Sequence, residues 1–527
     1  MVTARRVLEA AGVGMLFVLP FVWTQLSPGY KELYHHLLPL TSVAGGLLLD
    51  LLAISLLSLA AFAVIDRMRS RQQAIAWVMV CAVLSGLATR GVILLLDSFA
   101  VPLSADALRL TIWVPLAVLT LGSVLLVDPR RAGRSNYGRM LRGLRLGLAV
   151  AGCGIVVILP RLVYLASRSQ PMETAGFQRR GAVPPAENRR RIIWILLDEF
   201  SYDQSFGHRQ SSVALPHFDA FAQQSTLFSE VQPVGYYTEM VVPSLLTGRR
   251  VAQVRSDYNG MLSLRLANQS HWTPFNADAS IFGEARRLGW STGIAGWYNP
   301  YCRILGSVLD SCYWSFADPM RNGLSGRQPA IANALAILPL LQRASPIFHL
   351  KQEDGVSDNL HLADYQRLMA QAAALLENER IRMVMVHLPV PHPPGIYDRR
   401  SGTFRQGGTY LDNLALADRA LGKVLEELRG TKSWEHTTVM VSSDHSWRVP
   451  IWRRELGWTS EEEAASQGRF DPRPLLMIHF PGQTAGDRIT RPTSALAEHD
   501  MLDAMLRGEM NSAQELRSWL AQRPAGE

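Results

Sequence analysis

The sequence predicts a chain of two classes: an α-helical membrane domain of five transmembrane helices, then an exported α/β domain. Three observations predict this. Long apolar runs with few charges fill the chain up to about residue 166. Beyond that point, short apolar runs alternate with helical patterns. In the first part, arginines gather in alternate loops. The 527 residues are too many for one ordinary domain. The expected division is a membrane domain over 1–166, a linker over 167–190 and an exported domain over 191–527.

A bilayer crossing takes about 20 apolar residues. The five candidate spans are Val7–Leu26, Leu38–Ile65, Ala74–Leu96, Leu108–Val127 and Leu144–Ala166. Arg5 and Arg6 precede the first. Arg67, Arg69 and Arg71 follow the second, and Arg130, Arg131, Arg134, Arg139 and Arg142 lie before the fifth. Positive charge stays on the cytoplasmic side, so the N-terminus is expected inside and everything after span five outside. The net charge of +8 is thereby a topology signal, and no nucleic-acid partner is expected. Cys81 and Cys153 fall in spans, whereas Cys302 and Cys312 lie close together in the exported part. In an oxidising compartment those two form either a disulfide or a pair of unlinked buried thiols.

The exported part opens after a Gly-, Pro- and Arg-containing linker. Unbroken apolar runs at Arg191–Leu197, Ile381–Val386 and Thr437–Val441 read as buried parallel strands, with another at Leu475–Phe480. Helical patterns cover Ile281–Leu288, His361–Leu376 and Leu411–Leu428, and a strand is expected at Ser291–Trp297. Ligands in such sheets bind beyond the carboxyl ends of the strands. That rule selects Asp198 and Glu199, His387, and Asp444 with His445.

Thr238 stands in Y-Y-T-E-M-V-V-P-S-L-L-T-G-R, ahead of an apolar run closed by Gly248. Its plain reading is a helix N-cap. Its chemical reading is a nucleophile at a helix start, where backbone N–H groups favour an anion. Threonine attacks only when a base or a metal activates it. Asp198, Glu199, Asp444 and His445 are the residue types that hold zinc or manganese, and a metal there lowers the pKa of a bound hydroxyl. His387 and His392, in H-L-P-V-P-H-P-P, are candidates to bind a phosphate oxygen or protonate a leaving group, with Tyr397 and Arg399 as substrate contacts. Asp412, Asn413 and Asp418 read as a solvated helix face or caps, and His479 and His499 as unlikely ligands.

Five ordered segments resemble the alkaline phosphatase and sulfatase superfamily: L-L-D-E-F, L-P-H-F-D-A-F-A-Q-Q-S-T-L-F-S-E, P-S-L-L-T-G-R, H-L-P-V-P-H-P-P and V-S-S-D-H. The resemblance covers roughly Arg191 to Arg507. Sulfatases of that superfamily carry Cys or Ser in C/S-x-P-x-R, matured to formylglycine. Thr238 cannot mature in that way, so ordinary sulfate-ester hydrolysis is disfavoured. T-E-M-V-V-P resembles the T-x-x-x-V-P pattern of the membrane phosphoethanolamine transferases, and five spans before an exported domain also match the lipoteichoic acid synthases. The histidine region that follows Asp-His in the phosphoethanolamine transferases is absent; S-W-R-V-P-I-W-R-R stands there.

The resemblance implies one divalent metal, zinc or manganese rather than calcium, on Asp198 or Glu199, Thr238, Asp444 and His445. His392 and His387 would serve the phosphate or the leaving group. The implied activity moves a phosphoethanolamine- or phosphoglycerol-type group from a phospholipid donor to an envelope glycan or lipid acceptor through a phospho-threonine. The place implied is the outer face of a bacterial inner membrane. Two other readings are a phosphodiesterase or phosphatase of the same fold, and a non-catalytic membrane scaffold.

Overall fold

The computed structural model describes residues 3–24, 40–98, 113–121, 134–167, 176–178, 190–316, 331–335, 337, 354–453 and 457–524. The chain separates into two compact units. One takes in 1–172 together with 256–259 and 319–352, and the other holds the rest.

In the first unit the helices include α1 (Ala4–Thr24), α2 (Leu40–Arg67), α3 (Ser70–Ser98), α4 (Arg134–Cys153) and α5 (Ile155–Ala166). Among the described residues, three stretches are long and apolar enough to cross a membrane: Leu40–Arg67, Gln72–Thr89 and Leu141–Ala166. The expectation of five is met only to that extent. The expected spans Val7–Leu26 and Leu108–Val127 run beyond the described residues. Small residues let α1 and α4 touch backbone to backbone. A Cβ on Gly12 would stand 2.0 Å from Leu148 O, and one on Gly152 would stand 2.1 Å from Leu8 O.

The second unit is built on a nine-stranded mixed sheet. Its strands are β1 (Gly176–Gln178), β2 (Arg191–Leu197), β3 (Thr226–Phe228), β4 (Thr292–Trp297), β5 (Ser311–Ser315), β6 (Met383–Leu388), β7 (Thr437–Ser443), β8 (Leu476–His479) and β9 (Asp487–Ile489). The order across the sheet is β1-β5-β4-β6-β2-β7-β8-β3-β9. The centre, β4-β6-β2-β7, is parallel throughout, as the unbroken apolar runs predict. β8 pairs antiparallel with both neighbours, and β1 pairs antiparallel with β5. The Leu475–Phe480 strand therefore exists but runs against the parallel set.

Every residue of β2 is buried, so the run R-I-I-W-I-L-L has no solvent face to encode. Arg191 is buried with it, and its guanidinium donates to the carbonyls of Ile381 and Leu376 at 3.1 and 2.8 Å. Around the sheet pack α6 (Pro216–Ala222), α7 (Thr238–Thr247), α8 (Asp354–Glu377), α9 (Tyr410–Arg429) and α10 (Ala497–Arg507). Cys302 and Cys312 are joined in a disulfide, Cα to Cα 5.5 Å.

Of the two readings for the polar residues of α9, a solvated face or caps, capping holds for Asp412 and Asp418, and none of the three is a solvated face. Asp412 closes a capping box with Thr409. Asn413 is fully buried, accepts from Ile396 N at 2.9 Å and donates to His392 O and Pro394 O at 3.0 and 2.9 Å. Asp418 accepts from the backbone N–H groups of His217 and Phe218, both at 2.9 Å, and so holds the first turn of α6. Replacing Asp418 by Ala leaves both donors without that acceptor. The expected cost is about 1–3 kcal/mol. It is read as a lower melting temperature of the purified full-length protein; an unchanged melting temperature refutes the assignment.

Candidate active site

The central strands carry their polar residues to one edge of the sheet. Asp198 follows β2, Asp444 follows β7, and His387 is the penultimate residue of β6. The register sets His387 beside Leu196 and Ser443 beside Leu197, so the three strand ends coincide. Asp198, Glu199, His387, Asp444 and His445 are all fully buried, and Thr238 is 4 % exposed.

Thr238 is the first residue of α7, and Tyr237 takes the cap position in extended backbone without a side-chain cap bond. Of its two sequence readings, Thr238 thus does not fill the cap position. Its Oγ1 turns to the acids: it lies 2.8 Å from Asp444 Oδ2, 3.1 Å from Asp198 Oδ2 and 3.4 Å from His445 Nε2. Gly248, with φ of +64°, ends the helix as the sequence predicts.

The backbone around these groups is held from several sides. Asp444 Oδ1 accepts from the N–H groups of Glu199 and His445 at 3.0 and 2.7 Å. Ser443 Oγ accepts from Phe200 N at 2.9 Å and donates to His445 O at 2.6 Å. Tyr301 Oη meets His387 Nδ1 at 2.7 Å, which turns Nε2 of that ring toward Asp198 Oδ2, 3.7 Å away. Gly296 makes this possible, because a Cβ there would stand 2.4 Å from the Tyr301 ring.

Asp198 and Glu199, neighbours in sequence, face different partners. Glu199 has φ of +69°, an uncommon backbone for a residue with a side chain. Its Oε1 accepts from Arg448 N, Arg448 Nε and Trp452 Nε1 at 2.7, 2.9 and 2.7 Å, and its Oε2 accepts from Arg448 Nη2 at 3.1 Å. Tyr410 Oη donates to its carbonyl at 2.9 Å. Burial alone would raise the Glu199 pKa; the Arg448 charge outweighs it and brings the value down to about 2. Asp198 has no such counter-ion bound to it. Burial first, and the Asp444 carboxylate second, hold its pKa well above the usual carboxylate range.

Burial lowers both loop-side imidazoles, His387 to about 4 and His392 to about 3, so each ring is neutral at pH 7. His392 Nε2 lies 3.0 Å from Arg448 Nη2 and therefore accepts from it. The His392 ring is packed by Trp297 and Trp452 at 5.1 and 5.3 Å. His361 on α8, whose ring centre is 6.1 Å from that of His392, bonds the backbone of His392 and Pro389.

The donor set fits a divalent cation. Oxygen or nitrogen atoms of Asp198, His387 and Asp444 lie within 4.8 Å of one another, as do those of Asp198, Glu199 and His392. Among the described residues, Asp198 Oδ1 and His387 Nε2 are buried without a hydrogen-bond partner. Two crowded carboxylates with an orphaned oxygen and an orphaned imidazole nitrogen form a pocket for positive charge.

The other candidates lie elsewhere. His479 bonds Gln224 O at 2.6 Å and stacks on Trp434. His499 stands against Gly248, at the far end of α7 from Thr238. Arg399 pairs with Asp412 and Glu461, and Tyr397 receives Arg419 at 3.3 Å, so neither side chain is spent on the site. Arg448, Trp452, Tyr301 and His361 were not singled out by the sequence. The only available signal was S-W-R-V-P-I-W, the donor-rich stretch following Asp444-His445.

A family model described as Sulfatase matches residues 190–495. The chain belongs to the sulfatase family. Solved structures similar to it include the PsFucS1 sulfatase from Pseudoalteromonas sp., at 14% identity and TM-score 0.40, over 61% of this chain and 68% of that one. A phosphonate monoester hydrolase of Agrobacterium radiobacter is 17% identical, with TM-score 0.35 over 60% and 74% of the two chains. Murine ectonucleotide pyrophosphatase/phosphodiesterase 5 is 10% identical, with TM-score 0.35 over 60% and 95%. At identities this low no substrate carries over. No curated protein sequence matches the chain.

Replacing Arg448 by Met leaves the buried Glu199 carboxylate unpaired, at a cost of about 3–5 kcal/mol. The Glu199 pKa is depressed from 4.5 to about 2, so its stabilisation is full above the unfolded value and lost as pH falls through the folded one. The variant is expected to melt lower at neutral pH and to have its acid-unfolding midpoint moved upward, both followed by tryptophan fluorescence. An unmoved acid midpoint contradicts the pairing.

Proposed function

We propose that this chain is a metal-dependent transferase that moves a phospho-substituent, of phosphoethanolamine or phosphoglycerol type, from a phospholipid to an envelope glycan or lipid. The observation that carries the reading is the Thr238 hydroxyl, buried and shared between two carboxylates at a helix start. Carboxylates that already accept its hydrogen bonds are placed to take its proton, which is the activation that a threonine nucleophile needs. Three apolar helices ahead of the sulfatase domain support a membrane anchor, and the arginine pattern supports an extracytoplasmic, periplasmic face of a bacterial inner membrane.

Asp198, Asp444, His445 and Thr238 would hold one zinc or manganese ion, with His387 beside them. That ion would supply the charge that favours the alkoxide form of Thr238 and offsets the negative phosphate. Glu199 is the less suited of the two acids, since the hydrogen bonds its carboxylate accepts come from Arg448 and Trp452.

In the first step Thr238 Oγ1 adds to phosphorus as its proton passes toward the carboxylates that already accept it. The bond from phosphorus to the diacylglycerol oxygen breaks, and that oxygen takes up a proton. In the second step an acceptor hydroxyl adds to the same phosphorus, loses its proton, and the bond to Oγ1 breaks, restoring Thr238. His392, neutral and receiving a hydrogen bond from Arg448, keeps the guanidinium oriented at the site. Helix α7 aims its positive end at the phosphoryl group.

Two measurements test this. Metal analysis of the purified protein is expected to find about one zinc or manganese per chain, by the one-site reading of these ligands. The double variant Asp444→Ala, His445→Ala is expected to lose it; equal and negligible metal in both proteins favours a scaffold. Intact-mass analysis after incubation with phosphatidylethanolamine or phosphatidylglycerol vesicles is expected to find the headgroup phosphate on Thr238. Thr238→Ala is expected to lose the adduct and to slow turnover by roughly 10³-fold or more. An adduct discharged only to water, with glycan acceptors present, identifies a hydrolase instead.

A further inference from the structure

The first unit contains a segment whose place in the sequence is far from its helices. Residues 331–335 and 337 come after β5 and before α8, yet they belong with 1–172. Ile337 shares one buried cluster with Met15, Val18, Leu47, Ile158 and Leu162. A Cβ on Gly46 would stand 3.0 Å from Ala334 N and 3.0 Å from Ile337 Cδ1, so the segment lies directly on the α2 backbone. Asn333 and Ala334 are buried there, whereas Ile331 and Leu335, one helical turn apart, are each 64% exposed.

The position along α2 gives the depth. Asp66 and Arg67 close α2 at its cytoplasmic end by the arginine rule, and Gly46 lies 20 residues before Asp66. At about 1.5 Å per residue that is ~30 Å, the thickness of the hydrocarbon core. Gly46, and with it the segment, is therefore level with the outer boundary. Leu48, Leu49 and Leu52 of α2 are exposed from that level inward. Ile331 and Leu335 are exposed apolar side chains on the same segment. The run Ala330–Leu341 has Asn333 as its only polar side chain, with Arg327 and Arg343 flanking it. It is too short to span, and runs of that length mark interfacial or re-entrant elements.

We propose that this segment is a second membrane element, seated at the outer boundary of the bilayer with Ile331 and Leu335 among lipid acyl chains. The exported domain is then tied to the membrane by its own internal loop as well as by the linker before β2. The inference stands on the packing within the first unit and does not depend on the chemistry of Thr238.

The test uses the full-length protein with Cys81→Ala and Cys153→Ala, the disulfide left intact. Leu335→Cys, Ile331→Cys and, as a control, exposed Lys432→Cys are each labelled in detergent with an environment-sensitive fluorophore. They are then reconstituted into vesicles of phosphatidylethanolamine and phosphatidylglycerol. Labels at 331 and 335 are expected to be quenched severalfold more by nitroxide-bearing lipid than by aqueous iodide, and the label at 432 the reverse. Iodide quenching at 331 and 335 equal to that at 432 overturns the proposal. Protection of both from either quencher overturns it too, since protein rather than lipid would then cover them. Two positions guard against a single disruptive substitution, and unchanged melting temperatures confirm that each variant is folded.

Discussion

Buried negative charge is the constraint around which the second unit is arranged. Asp198, Glu199 and Asp444 are all fully buried at the ends of two adjacent parallel strands. Like charges at that spacing in a poorly solvated interior cannot all ionise without compensation. The chain meets the problem in two ways. The left-handed turn at Glu199 carries one carboxylate to Arg448 and Trp452. The other two converge on the hydroxyl of Thr238, where their remaining charge asks for a cation.

Much of the surrounding fold serves to hold that arrangement. Helix α9 contributes Tyr410 to the Glu199 carbonyl and Asn413 to the loop that bears His392. Tyr410 in turn stacks on Trp447 at 4.2 Å, three residues beyond Asp444. Tyr301 reaches His387 over a glycine, and His361 bonds the His392 loop from behind. These supports come from four separate stretches of sequence. A site built in this way stays rigid because each polar group is fixed by a neighbour that is itself buried.

The strand ends were legible in the sequence because fully buried parallel strands leave an unmistakable apolar run. The acids and histidines that follow such runs stand out against it. Direction was not legible: Leu476–His479 is as apolar as its neighbours yet antiparallel, since burial on both faces erases the pattern that would distinguish them. Nor could adjacent acids be told apart. Asp198 and Glu199 differ in role through one positive φ, and a backbone angle at a non-glycine residue has no compositional mark. Asp412, Asn413 and Asp418 read as a solvated face or caps because their spacing fits an amphipathic helix; the local cap at Asp412 was within that reading, but the partners of Asp418 lie up to 201 residues away. The segment at 331–337 is hidden for the same reason: its apolar run is too short to count as a span, and its contacts are with helices some 290 residues earlier on the count from Gly46, an order of separation that no local pattern carries.

Tyr237 supplies no side-chain cap, and Thr238, which by type would be a good one, spends its hydroxyl on the acids. The helix therefore begins with donor capacity in reserve. Any anion attached at Thr238 is also a cap for α7, so the local helix is better terminated with the anion present than without it. Helix ends usually act as fixed scenery around a reaction. On the proposed chemistry, α7 would gain an end group when Thr238 carries the phosphoryl group and lose it on discharge, which would couple the strength of that helix to the state of the threonine.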